Sequence, residues 1–152
     1  MGDFALSITN GVATIGSATP TSISRIGDHQ YVLGFSLSGT PNGSEQLAVV
    51  PIANSIFDIN GTASSTSQSN NTVNLFEKVL PTISSTALAA DNSTITATFS
   101  EAVFKSRSAS GTGFAGNGDL EVSDFVLSMS GGVATLGSAT PTSISKSSNA
   151  YT

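Results

Sequence analysis

With 152 residues, 38% of them hydrophobic and only 10% charged, the chain has room and apolar content for a core, which excludes the composition of a disordered protein. Five Lys and Arg against ten Asp and Glu leave a net charge of -5, so the phosphate-neutralising attraction behind nucleic-acid and anionic-membrane binding is missing. The absence of cysteine excludes disulfides, thiol nucleophiles and cysteine metal sites, and the single histidine, His29, has no partner for a zinc site or for most catalytic triads.

Apolar and polar residues alternate along the chain, and nothing repeats at 3.6 residues. Phe4, Leu6 and Ile8 share one face of a strand predicted over residues 4–9, followed by strands over 12–15 and 19–24. Asn10-Gly11 between the first two is a hairpin signal, because both central residues of a type I′ turn need positive φ. Tyr31, Leu33, Phe35 and Leu37 line a strand over 31–37, and further strands are predicted over 45–50, 72–76 and 83–88. In Thr94–Phe99, Ile95, Ala97 and Phe99 face one way and three threonines the other. The last two predicted strands cover 125–130 and 133–136. Turn signals fall at Gly27-Asp28, Pro41-Asn42-Gly43, Asn60-Gly61 and Asp91-Asn92. Short alternating strands without helices predict an all-β antiparallel sandwich.

A long internal repeat organises this pattern. Residues 3–24, DFALSITNGVATIGSATPTSIS, recur at 124–145 as DFVLSMSGGVATLGSATPTSIS, with 17 of 22 positions identical and a period of 121 residues. That period is too long for a solenoid unit and matches a whole domain. Both copies are expected to make the same structure. The chain then holds residues 1–77 as the later strands of one repeat and 78–152 as the early strands of the next, cut out of register with the domain. A local duplication inside one domain is the alternative.

The stretch TALAADNSTITATFSEAV, residues 86–103, resembles the opening strands of bacterial immunoglobulin-like repeats that occur in tandem in large secreted and surface adhesins. IFDINGTA, residues 56–63, is similar to the turn before their last strand, with Thr62 where the family usually has Asn. The resemblance implies an immunoglobulin-like sandwich and an extracellular or cell-surface, modular, non-enzymatic role as spacer or scaffold, with neighbouring repeats as partners. The 27 Ser and 18 Thr suit it, since hydroxyls keep a weakly charged surface wet. A carbohydrate-binding or other surface-ligand module is the alternative, for which Tyr31 and Tyr151 are the available tyrosines and no tryptophan exists.

Few residues offer chemistry. Asp119, Glu121 and Asp124 place three carboxylates in six residues beside a glycine-rich loop, a set of oxygens that could attract calcium, although the spacing is not that of an EF-hand and a solvated loop is the competing reading. Asp58 with Asn60 is expected to cap its own turn. Lys105, four residues after Glu101, could join an isopeptide bond only if buried, and its polar surroundings predict an exposed lysine. His29 is placed in a surface turn, and Arg25 and its counterpart Lys146 beside a strand edge. No active-site motif and no cofactor are expected, nor is there a basic n-region, a signal h-region or an apolar run of membrane-spanning length.

Neither half closes a sandwich alone, so each exposes apolar sheet face and unpaired edge. The early strands of one molecule are expected to complete the late strands of another, giving a homo-oligomer. A monomer closed as a circular permutant is the alternative.

Overall fold

A computed structural model describes residues 2–110 and 113–152. Among these the chain is all-β, every strand pair is antiparallel, and the one helical element is a 3-10 turn at Val122–Asp124. The chain divides into two compact units, Met1–Val79 and Leu80–Thr152.

Unit 1 carries seven strands: β1 (Phe4–Thr9), β2 (Thr14–Ile15), β3 (Ser22–Gly27), β4 (Gln30–Gly34), β5 (Leu37–Ser38), β6 (Gln46–Pro51) and β7 (Thr72–Asn74). They form a three-stranded sheet in the order β1-β6-β7 and two ribbons, β2-β5 and β3-β4. Alternation sets the register: Leu6 stands opposite Val49 and Ile8 opposite Leu47, which puts four apolar side chains on one face. Leu6 and Ala13 are buried at 4% and 2% exposure.

Asn10 and Gly11 do take the two positive φ values, 63° and 65°, that the sequence demands, yet they do not close a hairpin. β1 pairs with β6 and β2 with β5, so the left-handed pair turns the chain out of one ribbon into another. Gly11 is required on a second ground, because a Cβ there would collide with the Glu45 side chain. The single strand predicted over 31–37 is interrupted after Gly34, and its end re-pairs as β5.

Unit 2 carries β8 (Ile83–Leu88), β9 (Ile95–Phe99), β10 (Ser106–Ser110), β11 (Gly113–Asn117), β12 (Lys146–Ser147) and β13 (Ala150–Tyr151). Four of them form a sheet in the order β12-β13-β9-β8, and β10 and β11 pair with each other. The β10-β11 ribbon was not predicted, since its small polar residues show no alternation. It holds through Phe104, which packs on Gly116 where a Cβ would clash, and through Arg107, whose guanidinium lies 4.5 Å from the Phe114 ring centre.

The strands predicted over 125–130 and 133–136 are absent. The physical reason is the partner: β1 is a strand because β6 pairs along it, and among the described residues no strand pairs along 125–130. The expectation that both copies make one structure holds at the local level only. Phe125 is extended at φ -120° and ψ 141°. Leu6 N donates to Ala18 O and Leu127 N to Ala139 O, each at 2.7 Å. The 10–11 and 131–132 pairs both have positive φ. The equivalence runs past Ser145: Arg25 stands opposite Tyr31 and Lys146 opposite Tyr151, with a bulge between Arg25 and Gly27 absorbing one extra residue in unit 1.

The two glycines at equivalent positions should therefore respond differently. Gly132→Ala meets no atom within 4 Å and costs only the left-handed backbone penalty, about 1 kcal/mol, whereas Gly11→Ala adds the collision and costs more than twice that. Urea unfolding midpoints of the two variants check the order.

Candidate functional site

The most tightly held polar group is a residue that the sequence reading passed over. Glu45 opens the predicted strand 45–50 and is the only Asp, Glu, Lys or Arg between Asp28 and Asp58. It is fully buried at 0% exposure. Its carboxylate accepts from Val12 N at 2.9 Å and Ala13 N at 3.0 Å, and from Asn42 N and Gly43 N at 3.0 and 3.1 Å. A buried carboxylate is tolerable only when its lone pairs are filled, and four backbone donors fill them. The Asn42-Gly43 turn curls over the acid, and the loop after Gly11 brings the other two donors. The bond from Ala13, then those from Val12 and Asn42, outweigh burial and hold the carboxyl down to about 2. Its lone charge among neutral residues was the one available signal, and two of its four donors come from a loop more than thirty residues away.

In unit 2 the corresponding position is open. Val133 and Ala134 are the counterparts of Val12 and Ala13, and both are exposed. Among the described residues nothing hydrogen-bonds to their N–H groups. The same unit holds a groove of about 700 Å³ lined by Ile83, Ile95, Phe125, Leu127 and Ile144.

One end of this unit is aromatic. Phe99, Phe125 and Tyr151 stand with ring centres 5.9 to 6.4 Å apart. Tyr151 is 3% exposed, and its hydroxyl donates to Val103 O at 3.3 Å. Unit 1 repeats one edge of this cluster, with Phe4 and Tyr31 at 6.5 Å and 49° against Phe125 and Tyr151 at 5.9 Å and 46°.

The acidic trio lies nearby, and its members are engaged. The Lys146 ammonium donates to Asp119 and lies 5.5 Å from the Phe104 ring centre. Lys105 donates to Glu121, not to Glu101. The Asp124 carboxylate accepts from Glu121 N at 2.7 Å. The hydrogen bonds that the lysines donate to Glu121 and Asp119 push both ammonium groups above their usual range. Calcium at this loop would have to displace two ammonium groups, and no cluster of three or more His, Asp or Glu suited to a metal ion occurs among the described residues.

The other singled-out residues stay apart. Asp58 accepts from Asn60 N and Thr62 N at 2.8 Å and closes its own turn. His29 is exposed between β3 and β4, and Arg25 pairs with Asp28 at 3.0 Å on the same surface. Of the two tyrosines weighed as a ligand platform, Tyr31 is 50% exposed and Tyr151 is in the aromatic cluster. No family model, curated protein or solved structure matches the chain.

The Glu45 carboxyl is depressed in the folded state, so its stabilisation of unit 1 is present above pH 4.5 and fades as the pH falls toward about 2. Glu45→Gln should melt earlier at pH 7 and show a flatter melting temperature across that window, which thermal unfolding followed by circular dichroism checks. Tyr151→Ala should cost about 3 kcal/mol or more in unit 2, as expected for a buried aromatic, and Tyr31→Ala less than half of that in unit 1. Denaturant titration of both variants tests the difference.

Proposed function

We propose that the chain carries parts of an immunoglobulin-like sandwich repeat that serves as a non-catalytic spacer or scaffold in a secreted or cell-surface, adhesin-like bacterial protein. The observation that carries this reading is the repeat itself: segments 121 residues apart reproduce the same tyrosine–phenylalanine pair, backbone bond and left-handed turn. A period of domain length with conserved internal geometry is what a tandem array needs, because each unit must present the same ends to the next. The all-β antiparallel architecture supports the sandwich, and the resemblance of residues 86–103 to adhesin repeats supports its immunoglobulin-like type. The hydroxyl-rich, weakly charged composition supports an extracellular setting. Among the described residues no helix is long and apolar enough to cross a membrane. The role is geometric: stacked units hold another part of the protein at a distance.

A single unit in natural order can be built by joining residues 80–152 directly to residues 33–79, since Thr152 pairs with Ser145 as Val32 pairs with Ser24. It should unfold in one cooperative step as a monomer. Concatenated units should lengthen in solution scattering by roughly 35 Å each, the diameter of a compact domain of this size. Two separate melting steps would remove the sandwich reading, and a length that does not grow with unit number would remove the spacer.

A further inference from the structure

We propose that Asn10 is a site of self-modification: its side-chain amide closes on the Gly11 nitrogen to a succinimide, which opens with water to isoaspartate or aspartate. The site stands on the local geometry of unit 1 and does not need the spacer role. In the first step the Gly11 nitrogen gives up its proton and bonds to Asn10 Cγ, and the Cγ–Nδ2 bond breaks, so that Nδ2 leaves as ammonia with that proton. Water then adds to one of the two ring carbonyls. Opening at the former backbone carbonyl routes the chain through Cγ and leaves isoaspartate, and opening at Cγ leaves aspartate. Nothing is oxidised or reduced, and either product turns a neutral side chain into a carboxylate.

Asn-Gly steps occur at 10–11, 42–43, 60–61 and 117–118, and the glycine in each offers no side chain to obstruct the ring. Backbone and hydrogen bonding separate the first from the rest. Asn10 has φ 63°, in the left-handed region, and Asn42, Asn60 and Asn117 lie outside it. Ring closure needs Cγ and the next nitrogen on one side of the backbone, which an asparagine with positive φ reaches when the following peptide plane turns over. That rotation is the difference between a type I′ and a type II′ turn, and Gly11, at φ 65°, takes either sign of φ freely. No hydrogen bond resists it: among the described residues nothing accepts from Gly11 N. Gly43 N, in contrast, donates to Glu45 at 3.1 Å, and Gly61 N to Asp58 O at 3.1 Å. Asn10 is exposed, so water reaches the ring. Asn117 is exposed as well, but β11 holds it extended opposite Ser106. The other left-handed asparagines, Asn54 and Asn92, are each followed by serine, and the nitrogens of Ser55 and Ser93 are engaged.

The product bears on Glu45. Gly11 lies against the Glu45 side chain, and the next two backbone groups, Val12 N and Ala13 N, donate to its carboxylate at 2.9 and 3.0 Å. Isoaspartate inserts an extra backbone atom just ahead of those donors. Both products place a new negative charge one residue from the glycine that touches a buried carboxylate. Conversion therefore loosens the corner that Glu45 fills. Unit 2 carries Gly131-Gly132 at the equivalent turn and is exempt, because no side-chain amide stands there.

Trypsin releases residues 1–25 as a peptide in which Asn10 is the single asparagine, so its conversion is read directly by mass. Folded full-length protein held in mildly alkaline buffer should show the amide-to-acid mass gain at Asn10 about tenfold sooner than at Asn42 or Asn60, the factor for breaking one hydrogen bond. Asn117 should lag by about tenfold too, the factor for forcing a residue into the left-handed region. Conversion at any of these three as fast as at Asn10 overturns the site. In denaturant the four rates should converge, and a lead for Asn10 that persists there overturns the folded geometry as its cause. An isoaspartate-specific methyltransferase should label the converted peptide; a mass gain without label overturns the succinimide route, since direct hydrolysis gives aspartate alone. After conversion, hydrogen exchange at Val12 and Ala13 N–H should quicken about tenfold. Asn10→Gly, which copies the turn of unit 2, should keep its exchange rates through the same incubation. Unchanged exchange in converted protein, or equal quickening in Asn10→Gly, overturns the effect on Glu45.

Discussion

A β-strand is stable only when something takes up its outward-facing backbone groups and covers its apolar side, and of two nearly identical segments of this chain, 3–24 and 124–145, only the first has partner strands among the described residues. Everything distinctive about the structure follows from that imbalance. Around the first segment, β6 supplies the hydrogen bonds, Leu47 and Val49 cover Leu6 and Ile8, and Glu45 fills the corner where the segment turns. Along the second, Phe125 is extended and the left-handed turn is kept, and an apolar groove runs beside residues 125–128.

Glu45 is the point at which this pairing becomes specific. Alternation along β1 and β6 forbids a slip of one residue but not of two, and a buried carboxylate must find its donors or leave the charge unsatisfied. Four N–H groups converge on it from two loops, and Gly11 and the Asn42-Gly43 turn exist in the conformations that allow this. The acid thus fixes register between segments far apart in sequence. Unit 2 is anchored differently, by the Phe99, Phe125 and Tyr151 cluster and by lysines that neutralise the acids around the 3-10 turn.

Much of the fold was legible where side chains alternate strongly. Ile95, Ala97 and Phe99 announced β9, and Phe4, Leu6 and Ile8 announced β1, because one buried face imposes a period of two whatever the partner. The β10-β11 ribbon left no such trace, since Arg107 over Phe114 and Phe104 on Gly116 are contacts between single residues and not a periodic face. The acidic trio was visible as a cluster, but its engagement with Lys105 and Lys146 depends on residues 16 and 27 positions away that only folding brings near.

The sequence by itself determined the period of 121 residues, the alternation of the strands and the left-handed turns at 10–11 and 131–132, because each of these is enforced by local sterics or by identity between copies. Only the tertiary structure decided which copy becomes a strand and where Glu45 spends its charge. Identical residues take different environments because strand pairing is a property of the neighbour, and within this sequence the neighbour lies some forty residues downstream of the first copy alone.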